Sequence, residues 1–177
     1  NEDFIALAKE LARHALAQAP LGVAAGSAIE AQSFRGATVG QAVKEVSGKT
    51  GEAMALKRVA RFAQPAGMVA SYLHFTGQVG ELIELEGPAG DALVAVSREL
   101  GLHIASMDPI AVDESGIDTE LVARERRIAE EQVAAEGKPE NIRGKIVDGK
   151  VKKFVAERTL LGQPFVKDDK QTVEKLL

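Results

Sequence analysis

The chain has 177 residues, 45% hydrophobic but only 4% aromatic, and a formal charge of −4, enough for one large domain or two small ones with an aliphatic core. Charges of both signs are interspersed, which argues against a dedicated nucleic-acid binder with a basic patch and suits a protein that binds another protein. The absence of cysteine excludes a disulfide framework, a thiolate zinc site and a cysteine nucleophile, and is compatible with a reducing cytosol.

Phe4, Leu7, Ala8, Leu11 and Ala15 recur at helical spacing, and Pro20 ends that helix. Residues 21–36, rich in Gly, Ala and Ser, read as a loop. A second helix carries Val39, Ala42, Val43 and Val46 on one face, and Gly48 and Gly51 close it. Residues 53–63 read as a strand with Met54, Leu56, Val59 and Phe62, broken at Pro65. Residues 68–74 and 79–86 read as a β-hairpin whose turn, Phe75-Thr76-Gly77-Gln78, holds a glycine able to take positive φ. A third helix over 90–107 has the stripe Leu93, Val96, Leu100, Ile104 and Met107, and Pro109 lies beyond it. Residues 110–117 read as a linker.

The composition then shifts. Asp118 or Thr119 caps a long charged helix with a narrow seam of Leu121, Val122, Ile128, Ala129 and Val133. Gly137-Lys138-Pro139 stops it, and Pro139 suits the first turn of the next helix. That helix carries Ile142, Ile146 and Val147, is interrupted at Gly149, and resumes with Val151, Phe154 and Val155. Two narrow stripes around a tight turn predict a protruding helical hairpin whose arms need each other. The run Glu125-Arg126-Arg127 with Glu130-Glu131 reads as a solvated face supported by pairs four residues apart. Lys152-Lys153 reads as plain surface. Residues 167–170 read as a loop before a short last helix.

An internal repeat underlies this order. Glu10, Leu11, His14 and Pro20 match Glu99, Leu100, His103 and Pro109 at one constant offset, and Ile5-Ala6-Leu7 match Val94-Ala95-Val96. The repeat predicts two similar sheet-plus-helix subdomains in an α+β fold with small antiparallel sheets. The first covers 1–64 and the second 65–116. A helical-hairpin insertion covers 117–159, and 160–177 returns to the second subdomain. Both subdomains read as incomplete, the first at the N-terminus and the second at the C-terminus. His14 and His103 fall at equivalent positions on the two repeat helices, so they read as packing residues.

Four stretches resemble the elongation factor Ts family, and the match runs along nearly the whole chain. They are Phe4-x-x-Leu7-Ala8; Gly51-Glu52 followed by Leu56-Lys57-Arg58-Val59; Ser71-Tyr72-x-His74 with Val79-Gly80; and Glu136-Gly137-Lys138-Pro139 leading through Lys145-Ile146-Val147-x-Gly149 and Lys152-Lys153-Phe154 to Gln163-Pro164-Phe165-Val166. The last is the most specific. The resemblance implies two core subdomains with a helical-hairpin insertion. It also implies a guanine-nucleotide exchange factor, located in the cytoplasm or an organelle matrix, that binds elongation factor Tu and promotes GDP release.

The resemblance further implies partner contact through His74, with Tyr72, Phe75 and Gly77 of the same hairpin and Thr50 and Gly51 at the end of the second helix. Thr50 departs from the family, where that position is usually apolar. Glu2-Asp3-Phe4 superficially resembles the family's Thr-Asp-Phe motif, but the Phe-x-x-Leu-Ala register puts Phe4 on the following helix. The intrusive Asp-Phe pair is therefore expected to be absent and exchange to be weak. No phosphate loop of the Gly-x-x-x-x-Gly-Lys-Ser/Thr type is present. No catalytic centre, cofactor, metal, direct nucleic-acid contact or membrane contact is expected. The alternative is an assembly module that self-associates into a homodimer through open sheet edges.

Overall fold

A computed structural model describes residues 1–177. Helix α1 spans Glu2–Gln18. Asn1 starts it, its side-chain oxygen accepting from the backbone N–H of Asp3 (2.9 Å) and Phe4 (3.3 Å), and acidic Glu2 and Asp3 complement the helix dipole. Leu7 and Ala15 are buried, and α1 stops just before Pro20.

The segment expected to be a loop is ordered. It contains strand β1 (Gly22–Ala25), a one-turn helix α2 (Ser27–Glu30) and strand β2 (Ser33–Phe34), which pairs with β3 (Ala37–Thr38). Helix α3 (Val39–Thr50) follows at once because Thr38 forms a reciprocal cap with Gln41. The Thr38 hydroxyl accepts from the Gln41 N–H at 3.2 Å, and the Thr38 N–H donates to the Gln41 side chain at 3.0 Å. Val39, Ala42, Val43 and Val46 are buried as the periodicity predicts. Burial of each valine contributes about 1.5–3 kcal/mol relative to exposure. Gly48 lies inside the helix, and Gly51 alone closes it, at φ 72°. The strand expected over 53–63 shrinks to β4 (Arg58–Arg61), antiparallel to β1.

Strands β5 (Gly67–Leu73) and β6 (Gly80–Glu86) form the expected hairpin. Helix α4 covers Asp91–Met107. Its buried side is Ser97, Leu100, Gly101 and His103, rotated from the apolar stripe, and Met107 is exposed rather than buried. The stripe missed this face because a glycine, a serine and a histidine carry no hydrophobic signal.

A 3₁₀ turn at Glu114–Gly116 leads into α5 (Thr119–Ala135), capped by the Asp118 side chain, and α6 (Glu140–Arg158). Ala129 and Val133 pack on Val147 and Val151. Ile128 and Ile142, expected in the seam, are exposed. Ion pairs join the two arms, and one, Lys153–Glu157 at 3.6 Å, runs along α6. Arg126 reaches Asp148 at 2.8 Å, and Lys150 reaches Glu136 at 3.5 Å. Helix α6 passes through Gly149 without interruption. A helical glycine costs about 1 kcal/mol relative to alanine, and the buried valines on either side outweigh that. The chain ends with β7 (Pro164–Phe165), β8 (Asp168–Thr172) and α7 (Val173–Leu176). Most of the expected 167–170 loop thus lies in β8, paired with β7.

The chain divides into two compact units, one of residues 1–69 and 84–88, the other of residues 70–83 and 89–177. The fold is α+β, with small antiparallel sheets packed by helices. The repeat is visible in three dimensions. In the first unit α1 is followed by the β2–β3 ribbon and α3. In the second, α4 is followed, after the inserted α5–α6 hairpin, by the β7–β8 ribbon and α7. In both, the N–H of the valine opening the last helix donates to the carbonyl of a glutamine before the ribbon. These are Val39 to Gln32 at 3.1 Å and Val173 to Gln163 at 3.0 Å.

Candidate functional site

Within the second unit, Tyr72, His74, Phe75 and Gly77 come together at the hairpin tip. The His74 N–H donates to the Val79 carbonyl (2.9 Å), and the Gly77 N–H donates to the His74 carbonyl (2.8 Å). Gly77 takes φ 71°, which the tight turn needs and a side chain would strain. The Tyr72 hydroxyl lies 3.2 Å from His74 Nδ1. The His74 and Phe75 rings are 4.4 Å apart, and Phe75 is 91% exposed. A phenyl ring this bare, on a turn held by backbone hydrogen bonds, is a preorganised apolar anchor.

The hairpin also carries apolar residues that sequence reasoning left out of the site: Val69, Leu73, Val79 and Leu82 are all exposed. The signal was present as period-two alternation, in which Met68, Ala70 and Tyr72 take one face and Val69, Ser71 and Leu73 the other. Glu81 on β6 has both carboxylate oxygens shielded from water and without a hydrogen-bond partner, and this desolvation raises its pKa.

Thr50 and Gly51 lie in the first unit, at the end of α3. The Thr50 hydroxyl donates back to the Val46 carbonyl at 3.0 Å, and the Gly51 N–H donates to the Ser47 carbonyl at 3.0 Å. Both residues therefore terminate a helix locally. The threonine satisfies its hydroxyl within its own helix.

The paired histidines are packing residues, as the repeat predicts. His14 meets the Gln32 side chain at 2.8 Å and stands edge-on to Phe34 at 5.4 Å. His103 meets the Gln163 side chain at 3.0 Å and stacks on Phe165 at 5.9 Å. Each copy adds an ion pair from its helix to its ribbon, Glu10–Arg35 in one and Glu99–Lys167 in the other.

His103 is fully buried, and its Nδ1 accepts from the Val166 N–H at 3.2 Å. That nitrogen carries no proton, so Nε2 is the donor to Gln163. Burial lowers the His103 pKa, against a smaller opposing effect of the Gln163 hydrogen bond. The unfolded chain binds a proton at an ordinary histidine pKa near 6.5, and the folded chain resists it. This contribution to stability is therefore complete above about pH 6.5 and is lost as pH falls towards the folded pKa, at up to about 1.4 kcal/mol per pH unit. Urea midpoints at pH 7.5 and 5.5 check it. Wild type is expected to lose more stability over this interval than His103→Gln, and equal losses would refute the assignment.

No group of three or more His, Cys, Asp or Glu side chains is arranged to hold a metal ion, and no helix is long and apolar enough to cross a membrane. What the geometry offers is an aromatic hairpin tip on a duplicated α+β scaffold, suited to protein contact.

The family model for elongation factor Ts ("Elongation factor TS") matches residues 1–177. An elongation factor Ts from Azoarcus sp. (strain BH72) is 46% identical over all 177 residues, which cover 57% of that protein. Those from Methylococcus capsulatus and Thiobacillus denitrificans are 43% and 42% identical, again over the whole chain and 58% of theirs. The chain belongs to the elongation factor Ts family. It spans less than three fifths of the length of these relatives.

Proposed function

We propose that the chain acts in cytoplasmic translation elongation as a guanine-nucleotide exchange factor that binds elongation factor Tu and promotes release of GDP. The observation that carries this reading is the family match across all 177 residues. Such a factor makes and breaks no covalent bond. It binds the nucleotide-free partner more tightly than the nucleotide-bound one, and reciprocal linkage then weakens nucleotide binding by the same factor. The hairpin tip, with Tyr72, His74, Phe75 and Gly77, is the contact surface that best supports this reading. The bare Phe75 ring supplies the apolar anchor. Thr50 and Gly51 form a second proposed contact.

The test is titration of the chain into elongation factor Tu loaded with a fluorescent GDP analogue. Saturable binding with accelerated release of the analogue is expected. Phe75→Ala is expected to weaken binding by about 30-fold, the loss typical of a central aromatic anchor. No binding at high concentration would refute the reading. Binding that is indifferent to Phe75→Ala would move the contact elsewhere.

A further inference from the structure

The contact proposed above includes His74 but leaves open which way its ring faces and which nitrogen carries the proton. We infer that Tyr72 is the positioning residue for His74, holding the ring in one flip state and one tautomer so that the tip presents an Nε2–H donor to an oxygen acceptor on the partner. This rests on the proposed contact through the hairpin tip.

The argument starts from the hydroxyl 3.2 Å from Nδ1. A phenol is a good hydrogen-bond donor and a poor acceptor, because its oxygen lone pair is delocalised into the ring. The unprotonated imidazole nitrogen is a strong acceptor. The favoured arrangement therefore has Tyr72 donating to Nδ1, which leaves the proton of the neutral ring on Nε2. A 180° rotation of the imidazole would replace Nδ1 by a carbon facing the hydroxyl and lose the bond. One interaction thus sets both the proton position and the direction of Nε2. The Phe75 ring, 4.4 Å from the imidazole, limits the ring from another side.

Tyr72 is itself held. A Cβ built on Gly101 of α4 would lie 2.6 Å from Tyr72 Cβ and 2.7 Å from its Cγ, so the glycine is where the helix admits the base of the tyrosine ring. Gly101 is buried while His74 is half-buried and Phe75 bare. Support therefore runs outward from a packed helix through Tyr72 to His74, as a preorganised contact requires. The packing at Gly101 does not involve the hydroxyl. Tyr72→Phe should consequently keep the fold and remove only the bond to Nδ1.

Two measurements test this. Nitrogen-15 NMR of the neutral histidine rings in the free chain, at alkaline pH, reports the tautomer without any partner. Wild type is expected to show His74 with a pyrrole-like Nε2 and a hydrogen-bonded, unprotonated Nδ1. Tyr72→Phe is expected to shift both signals towards a tautomer mixture while the backbone amide spectrum away from the tip stays unchanged. Binding to elongation factor Tu carrying GDP is expected to weaken about three- to tenfold in Tyr72→Phe, the effect of losing one neutral hydrogen bond. His74→Ala is expected to weaken binding at least as much, and adding Tyr72→Phe to it should cost nothing further.

An unchanged His74 spectrum in Tyr72→Phe overturns the inference, whatever the binding does. Additive losses in the double variant also overturn it, because Tyr72 would then act independently of His74. A shifted spectrum with full binding by both single variants supports the positioning of the ring and removes the partner contact, so the two failures are distinguishable.

Discussion

Replacing Gln163 by alanine is expected to destabilise the protein by about 3 kcal/mol, whereas Gln32→Ala should cost about 1 kcal/mol. The two glutamines do the same job in the two copies of the repeat, and the difference lies in what surrounds them. The Gln163 side chain is 2% exposed. It accepts from His103 Nε2 (3.0 Å) and donates to the carbonyls of Met107 (3.2 Å) and Glu157 (2.9 Å). It therefore ties the end of α4 to the end of α6 and to the buried imidazole. Alanine would leave one N–H and two carbonyl oxygens without their partner where water is largely excluded, and each such group costs about 1–3 kcal/mol, with sharing between them.

Gln32 holds a half-buried histidine and a looser contact to the Gln18 carbonyl at 3.4 Å. Solvent can replace it there. Urea denaturation of both variants is the measurement. Equal losses would show that burial does not distinguish the two copies.

Gly26→Ala is expected to be as costly, at about 3 kcal/mol, by a different mechanism. Its backbone is ordinary, with φ −56°, so conformational strain is not the reason. A Cβ there would lie 1.8 Å from the Leu56 carbonyl oxygen and 2.5 Å from its carbon. Neither is the flexible end of a side chain, so the β1–β4 crossing would have to open. The Gly26 N–H also donates to the Lys57 carbonyl at 2.9 Å, extending that crossing past the end of the strand. Gly48→Ala is the control. It sits inside α3 with open space where a Cβ would go, and it should gain about 0.5–1 kcal/mol. A Gly26→Ala protein as stable as wild type would mean that β1 and β4 do not approach as described.

These two sites show where sequence reading stopped. The helices α1, α3 and α4 were legible because apolar residues recur every three or four positions. His14 and His103 could be matched because both lie on those helices at one offset. The glutamines that hold them could not be matched. Gln32 lies 18 residues after its histidine and Gln163 lies 60 after its own, because the α5–α6 hairpin intervenes in the second copy. The loop reading of 21–36 failed for a related reason. Strand β1 gains its order from β4, more than thirty residues away, and a run of Gly, Ala and Ser has no period to announce it. Gly149 was read as a break because its intrinsic cost is local, while the packing that overrides it comes from the other arm of the hairpin.

The hairpin tip divides in the same way. Its strands, its turn and the place of His74 beside that turn followed from alternation and from Gly77. Local backbone preference and period were enough for the hairpin, the long helices, the duplication and the helical hairpin, and the motif residues were enough for the family resemblance. Only the tertiary structure decided that Phe75 stands bare, that the Tyr72 hydroxyl meets His74, that Gly101 admits Tyr72, and that one repeat histidine is sealed while the other is half open. Those facts depend on distances between segments far apart in the chain, and no local propensity encodes such distances.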